Sequence, residues 1–467
     1  MNKAIKITGW ILLGITFFIT LFIFFHTAIL SLKDFTPLHG IFGSAWIGLK
    51  NYFEIFSSPY LARIFINTAL ISTIGALTGT IYVFLGICAA TSFKKPALKA
   101  LFTIIFTVPA IIPNNLYTIL IGTEFLIKPS FLLQALAGTI DSLRLAALFI
   151  PVALFISEGS LSKALKCALM FLGIKLIFFL NIDTTYLYNP ATYEVLDTFS
   201  NFVYRKGMME GSFSYSSAMF IIKTAIQLVM AFIGFIIILC AEKIKANETS
   251  IKKMSALSPF ALIPLGVLIF AIVFGSSGVK NMTSMLMPHY FIGILHAFLC
   301  ALSVSVVALF AANAIFSAGA IGTIIITVLC AISINQIGSY FIIRQFGLIN
   351  THIGVLMENL KYVPLVALIF SCILKCADNN KSNILLFITG AGIMFARFWG
   401  DGSAATVILK DRNQYPISVI INQINMQAPN QMAQTEPFAA VLYILIPLIV
   451  VCVTLILGAI LKNKKNI

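Results

Sequence analysis

Long apolar stretches alternate with short polar segments along the whole chain, and this pattern sets its predicted architecture. Twelve stretches are long enough, or nearly long enough, to cross a bilayer as helices. They fall at residues 7–30, 66–92, 100–127, 131–156, 167–181, 215–241, 260–275, 290–317, 320–346, 352–374, 382–399 and 437–461. We therefore expect an all-α polytopic membrane protein with about twelve transmembrane helices.

A charged segment at 242–259 divides these helices into two sets of six. Both sets begin on the same side of the membrane, and Asn114-Asn115 in the third helix corresponds to Asn335-Gln336 in the ninth. Such correspondence is typical of parallel structural repeats. We predict a first half at residues 1–241, a cytoplasmic linker at 242–259 and a second half at 260–467.

Composition and charge support a membrane protein and give it an orientation. The 467 residues are 60% hydrophobic and 10% charged, with a mean hydropathy of +1.00, which no soluble globular domain requires. The net charge of +15 is spread unevenly: the predicted inner segments hold 16 lysines against four acidic residues, and the outer segments hold 11 basic against ten acidic residues. This asymmetry predicts a multi-pass plasma-membrane protein with both termini cytoplasmic, surrounded by lipid, and no nucleic-acid partner.

The longest polar segment of the first half, Leu187–Ala218, has the composition of a solvated loop, but its residue order is more specific. Asn-Pro-x-x-Tyr-Glu-Val is followed by Asp-Thr, then Tyr-Arg-x-Gly, then Ser-Tyr-Ser-Ser-Ala leading into a helix. This order resembles the last external loop of the binding-protein-dependent carbohydrate ABC importer permeases, in their oligosaccharide and polysaccharide (maltose-like) branch.

Three other outer motifs carry the same resemblance. Trp46-x-Gly-Leu-x-Asn-Tyr52, with Asn67-Thr68 downstream, is similar to the first outer loop of one permease subunit. Gly347–Thr351 and Asp411-Arg412-x-x-Tyr415-Pro416 are similar to loops of its partner subunit. The chain thus looks like two permease halves fused. The resemblance implies import of a carbohydrate-like solute, with an extracytoplasmic solute-binding protein and a cytoplasmic ATPase as partners.

The predicted inner loops depart from that family. Its permeases carry a Glu-Ala-Ala … Gly motif on short coupling helices that contact the ATPase. Here Ser157–Lys166 and Lys375–Lys381 lack the motif, and each can hold at most about two helical turns at 1.5 Å per residue. We therefore expect weak or no ATPase docking. Two alternatives stay open: an ATP-independent carrier, favoured if Glu124 or Glu358 forms a proton site, and a non-transporting pseudo-permease.

Ionisable residues inside predicted helices are the main candidates for chemistry. Each costs about 2.5–3.5 kcal/mol on insertion scales, so each should be paired or should face a polar path. They are Glu124, Lys175, Lys223, Glu358, Lys361 and Arg397. Glu358 and Lys361 are three residues apart and are expected to form a local ion pair.

A polar substrate path would combine amides and aromatic faces with some of these charges, because sugars need neutral hydrogen-bonding groups and aromatic surfaces. The candidates for this path are Asn114, Asn115, Tyr117, Glu124, Asn335, Gln336, Tyr340, Glu358 and Lys361. The five histidines and eight cysteines form no recognisable catalytic or metal-ligating pattern. We expect no enzyme activity, no metal and no cofactor.

Overall fold

A computed structural model describes residues 3–113, 117, 130–156, 159–182, 192–245, 258–276, 283–377, 383–427 and 437–464. Helices dominate, because long apolar segments in a bilayer must satisfy their backbone hydrogen bonds internally. The longer helices are α1 (Lys3–Ser31), α2 (Tyr60–Thr91), α3 (Pro96–Ile111), α4 (Phe131–Phe149), α5 (Leu161–Ile177), α6 (Phe213–Glu242), α7 (Leu262–Ser276), α8 (Thr283–Ala318), α9 (Ala320–Ser333), α10 (Gln336–Gln345), α11 (His352–Asn359), α12 (Val363–Cys376), α13 (Asn383–Gly400) and α14 (Pro437–Lys464).

Shorter elements lie between these helices, mostly in the predicted outer segments. The short α-helices are Gly40–Gly43, Lys50–Ser57, Val152–Phe155, Tyr193–Leu196, Phe199–Tyr204, Ser403–Ile408 and Ile417–Gln427. Single turns of 3₁₀-helix span Ser258–Ala261, Leu360–Tyr362 and Arg412–Gln414, and Arg205–Met209 is a π-helical turn. Two strands, β1 (Lys33–Asp34) and β2 (Ala45–Trp46), pair antiparallel.

Within the described residues, eight helices are long and apolar enough to cross a membrane. A ninth span is formed if α9 and α10, which meet at an angle of 78°, are counted as one. The chain is therefore a multi-pass α-helical membrane protein, as predicted. Helices α3, α5 and α7 lie where the third, fifth and seventh spans were expected, but with 16, 17 and 15 residues they are shorter than the eight spanning helices, and the count of twelve stays a prediction.

The helices pair in a pattern that occurs twice along the chain. In the first set α2 packs against α4 and α5, and α5 packs against α6. In the second set α8 packs against α12 and α13, and α13 packs against α14. The two sets also interlock, because α1 packs against α8 and α14 packs against α3. The division into 1–241, 242–259 and 260–467 stays a prediction that this pairing fits.

Close helix crossings in the first set depend on glycine. A Cβ atom on Gly138 of α4 would lie 2.2 Å from the backbone oxygen of Ile71 on α2, and one on Gly75 would lie 2.6 Å from the oxygen of Gly138. Neither contact is possible for a larger residue without separating the helices. Small residues at crossings are the usual way in which membrane helices approach closely.

The predicted external segment of the first half is not an ordinary solvated loop, because about half of its described residues are buried and most of the others are partly buried. Asp197 is 1% exposed and Phe199 is fully buried. Asn67 Nδ2 donates to the backbone oxygen of Glu194 at 2.9 Å, and Thr68 Oγ1 accepts from the backbone nitrogen of Phe199 at 3.1 Å. The Asn67-Thr68 motif on α2 therefore holds this segment against the helices.

The two outer motifs of the second half also contact each other. Gly347 and Asn350 both have positive φ, at 68° and 62°, and make the tight turn between α10 and α11. Asn350 donates from its backbone nitrogen to Ile408 O at 2.8 Å. Its Oδ1 accepts from the backbone nitrogens of Lys410 and Asp411 at 2.8 and 3.1 Å. The turn thus anchors the last outer segment, which is predicted to be a long loop but contains two partly buried helices.

Candidate functional site

A cavity of about 210 Å³ lies between the two sets of helices, towards their predicted outer ends. From the first set it is lined by α4, the residues just after α5, the short helix Phe199–Tyr204 and α6. From the second set it is lined by the break between α9 and α10, the turn Leu360–Tyr362, the end of α13 and the two short helices after α13. Its walls therefore come from both predicted halves.

Broken helices shape one wall of this cavity. The polypeptide bends after α9, and Asn335 starts α10 by accepting a hydrogen bond from the backbone nitrogen of Gly338 at 3.0 Å. Asn335 Nδ2 donates to Thr27 Oγ1 of α1 at 2.7 Å. Irregular backbone at membrane depth is tolerated where it is buried in protein or lines a cavity. The break places Gln336 on the cavity wall.

Two of the charged groups at the cavity are held in ion pairs. Lys361 Nζ lies 2.5 Å from Glu358 Oε1, and these side chains are 5% and 2% exposed. Asp141 of α4 pairs with Lys175 of α5, which is almost fully buried. Asp141 and Lys361 line the cavity, whereas their partners lie behind the wall. Both pairs are thus shielded from lipid and from most water.

Tyr362, in the turn before α12, contacts both Arg397 of α13 and Asp401, which follows α13. The Arg397 guanidinium lies 5.0 Å from the ring centroid of Tyr362, and Tyr362 Oη donates to Asp401 Oδ2 at 3.3 Å. Asp401 also accepts from the backbone nitrogen of Ser403 at 2.9 Å. Burial disfavours its charged form, but the hydrogen bonds from Ser403 and the charge of Arg397 lower the pKa of Asp401 below its ordinary value. Asp401 is therefore an ionised partner for Arg397.

Lys223 of α6 has a different environment. It is 4% exposed, and its Nζ donates to Ser200 Oγ at 3.1 Å. The same atom lies 5.9 Å from the ring centroid of Phe220. No carboxylate in the described part of the chain lies within 4 Å of it. Lys223 therefore faces the cavity with a neutral hydrogen-bond partner only.

Of the residues proposed for a substrate path, the structure places two, Gln336 and Lys361, on the cavity wall. Glu358 and Asn335 lie directly behind this wall, in the ion pair and the helix cap. Tyr117 is 7% exposed and donates to Pro109 O at 3.1 Å.

Tyr340 stacks on Phe213 with ring centroids 6.3 Å apart, away from the cavity lining. The three remaining candidates, Asn114, Asn115 and Glu124, lie outside the described residues. The role of all nine residues in translocation stays a prediction.

Sequence reasoning did not assign several cavity residues to the path. Asp141 lies inside an apolar helix, where an acidic residue is an available signal. Asp401 lies two residues after the predicted end of a helix at residue 399, between Gly400 and Gly402, and resembles an ordinary loop residue. Asn181 is the last residue of a predicted helix, and Ser200 belongs to a polar segment whose folding back into the membrane region has no signature in composition.

At the opposite, predicted cytoplasmic end, contacts join the two sets of helices. Lys375 Nζ, at the end of α12, lies 2.5 Å from Glu242 Oε1 at the end of α6. It also donates to Thr323 Oγ1 at 2.7 Å. Lys166 of α5 donates to the backbone oxygen of Lys375 at 2.9 Å. The inner ends are therefore held together while the cavity lies nearer the outer ends.

Comparisons with known proteins find similarity to a bacterial permease. The chain is 24% identical over 252 residues to the polygalacturonan/rhamnogalacturonan transport system permease protein YteP of Bacillus subtilis (strain 168), over 44% of this chain and 78% of that protein. No family model matches. The crystal structure of the human organic anion transporter MFSD10 aligns over 96% of this chain and 98% of its own, with 12% identity and a TM-score of 0.17, which carries no argument about fold or function.

Proposed function

We propose that this protein is a permease that moves a carbohydrate or a related solute across the plasma membrane through the cavity between its two halves. The observation that carries the proposal is the cavity itself, because it lies between two similarly paired sets of membrane helices and is lined by polar and aromatic groups. Binding sites at the interface of structural repeats are typical of membrane transporters.

The lining chemistry favours a sugar. Asn181, Ser200 and Gln336 present amide and hydroxyl groups, and Tyr204 and Tyr362 present aromatic rings. Small-molecule sites commonly combine apolar walls with a few placed polar groups, which fix the orientation of the ligand. Aromatic rings supply flat apolar surface next to a polar tip, and this suits sugar rings with their apolar faces and hydroxyl rims.

The similarity to YteP supports the same proposal. That protein is named as a permease of a polygalacturonan/rhamnogalacturonan transport system, and the match covers 78% of it but only 44% of this chain. One half of this chain would then correspond to one permease chain. By the same analogy, an extracytoplasmic solute-binding protein would deliver the substrate, and a cytoplasmic ATPase would be the ordinary source of energy.

A second candidate, an ATP-independent carrier of the same fold, is favoured by the short inner segments. Only residues 156–160 separate the short helix Val152–Phe155 from α5, and only residues 377–382 separate α12 from α13. A coupling helix of two turns needs about seven residues at 3.6 residues per turn, in addition to its connections. Neither segment has room for one. We therefore expect weak or absent association with a maltose-type ATPase.

Uptake of labelled oligosaccharides by intact cells tests the function. Thr406 lines the cavity with an exposed side chain, so Thr406→Trp should fill the cavity and abolish uptake while the protein still inserts. Thr36→Trp makes the same change at an exposed outer position and should leave uptake intact. No uptake by the unchanged protein under any energy source would instead favour a non-transporting pseudo-permease.

Energy dependence separates the two transport mechanisms. Uptake that requires ATP, together with stoichiometric co-purification of an ATPase stimulated by substrate, would show that the inner ends couple to ATP by some other geometry. Uptake that survives ATP depletion but is lost with the proton gradient would establish the carrier.

A further inference from the structure

We propose that Lys223 is the binding residue for the carboxylate of an acidic sugar, so that the substrate carries at least one uronate-like negative charge. The inference rests on the proposed function and names its substrate class. It depends on where Lys223 lies, on the charges that share its cavity and on the unsatisfied amide group of Asn181, which lines the same cavity.

The charges at the cavity leave one cation in excess. Among the residues that the structure describes, three cations (Lys223, Lys361, Arg397) and two carboxylates (Asp141, Asp401) line it. Behind the wall, Lys175 pairs with Asp141 and Glu358 pairs with Lys361. Arg397 has Asp401 as its acidic neighbour, joined through Tyr362. After these assignments Lys223 is the basic residue of this set that has no acidic neighbour within the described ranges.

Lys223 lies well inside a membrane helix, where a positive charge without a neighbouring anion costs free energy. Lys223 is the eleventh residue of α6, roughly 15 Å along the helix axis from Phe213 at 1.5 Å per residue. Within membrane segments, ionisable residues are expected to be paired or to line a solute path. Ser200 supplies a hydroxyl but no negative charge. A substrate carboxylate entering the cavity would complete the pairing.

The neighbouring groups suit a carboxylate. The Ser200 hydroxyl accepts from the Lys223 ammonium group at 3.1 Å and donates to Leu180 O at 3.3 Å, so it holds the ammonium group at the cavity wall. Asn181 also lines the cavity, and its buried Nδ2 has no hydrogen-bond partner in the described structure. An ammonium group and an amide donor are a suitable pair of groups for a carboxylate, because charge-assisted hydrogen bonds are the stronger ones.

The acidic residues on the same wall do not oppose this assignment. Asp141 and Asp401 each face a cation of their own, so their negative charges are compensated within the wall. Neutral sugar hydroxyls can bind to the remaining amides and hydroxyls. The cavity therefore matches a ligand with one anionic end and several neutral hydroxyls better than it matches a wholly neutral sugar.

Equilibrium binding to the purified full-length chain in detergent tests the proposal with two probes. One is digalacturonate, and the other is its dimethyl ester, which has nearly the same shape but no charge. We expect the unchanged protein to bind digalacturonate about tenfold more tightly or better, because each charge-assisted contact is roughly twice as strong as a neutral one. Lys223→Met should reduce digalacturonate binding to the level of the ester and leave ester binding unchanged.

Two further variants provide controls. Lys223→Arg keeps the charge and should keep most of the preference for digalacturonate. Lys50→Met makes the same substitution at an exposed position of the outer segment and should bind both probes as the unchanged protein does. If Lys223→Met fails to fold, the comparison of the two probes on the unchanged protein still decides whether the site prefers an anion.

Each remaining outcome has one meaning. Equal binding of both probes by the unchanged protein would overturn the inference and leave carbohydrate transport standing. A preference for digalacturonate that persists in Lys223→Met would also overturn it, because the anion would then bind elsewhere. Binding of neither probe, with no sugar uptake by cells, would remove the proposed function together with the inference.

Discussion

Replacing Glu358 by glutamine should reveal what the buried ion pair with Lys361 contributes. The two side chains are 2% and 5% exposed and 2.5 Å apart, so the ammonium would be left in a nearly dry site without its counter-charge. Removing one partner of a buried pair typically costs about 3–5 kcal/mol of unfolding free energy. Replacing both, in Glu358→Gln/Lys361→Met, should restore most of that loss, because the uncompensated charge is then gone.

The assay is reversible unfolding by SDS in mixed micelles, which gives an apparent unfolding free energy for each variant. Glu210→Gln is the matched control, because Glu210 is 39% exposed and its ion pairs with Arg205 and Lys206 are at the surface. It should cost about 1 kcal/mol or less. If Glu358→Gln were no more destabilising than Glu210→Gln, or if the double variant were as unstable as the single one, the structural role of the pair would be refuted.

Three further predictions address topology, packing and the outer segment. In a cysteine-free background, Ser212→Cys and Ser403→Cys should react with a membrane-impermeant maleimide in intact cells, and labelling only in inverted membranes would reverse the orientation. Gly138→Ala should destabilise the protein by about 1–3 kcal/mol, because the added methyl group overpacks the helix crossing. Gly14→Ala is the control and should not destabilise the protein, because no atom lies within 4 Å of the added Cβ. Unfolding by SDS measures both variants. Asn67→Leu should loosen the segment after α5, which would appear as faster cleavage there by external protease, and unchanged cleavage would contradict the anchoring role.

The positions of the helices could be predicted from sequence because the apolar runs are long and the polar breaks are sharp. The structure of the outer segments could not be predicted in this way. A run of polar residues has the same composition whether its hydrogen-bonding groups are satisfied by water or by other parts of the protein. Asn67 and Gln134 illustrate this point, because Gln134 Nε2 donates to Asn67 Oδ1 and to Val195 O, both at 2.9 Å. Those amides lie in apolar helices far from the segment in sequence, so only the fold shows that they replace water.

The cavity was predictable only in part for a related reason. The local pair Glu358–Lys361 follows from a spacing of three residues on one helix. The pair of Lys175 with Asp141 joins two helices, and no spacing rule links residues 34 positions apart. The sequence therefore indicated that Lys175 needs an acidic partner within the membrane region, but it did not indicate that this partner is Asp141. Arg397 and Lys223 were found in the same way, as charges at membrane depth whose surroundings depend on tertiary packing.

The inner contacts bear on how the cavity would open to the cytoplasm. Movement of solute inward requires the inner ends of the helices to separate. Lys375 contacts three residues at these ends, which are Glu242, Thr323 and Lys166. The Lys375 side chain is 7% exposed and that of Glu242 is 29% exposed, so this ion pair is partly desolvated. Opening of the inner ends would break the ion pair, but water would then solvate both charges and compensate much of the lost interaction energy. An ATPase would have to act on these contacts through segments too short for a coupling helix. A substrate bound near Lys223 would act directly on α6, the helix that also carries Glu242, so the proposed carrier would have a continuous mechanical connection from the cavity to the inner contacts.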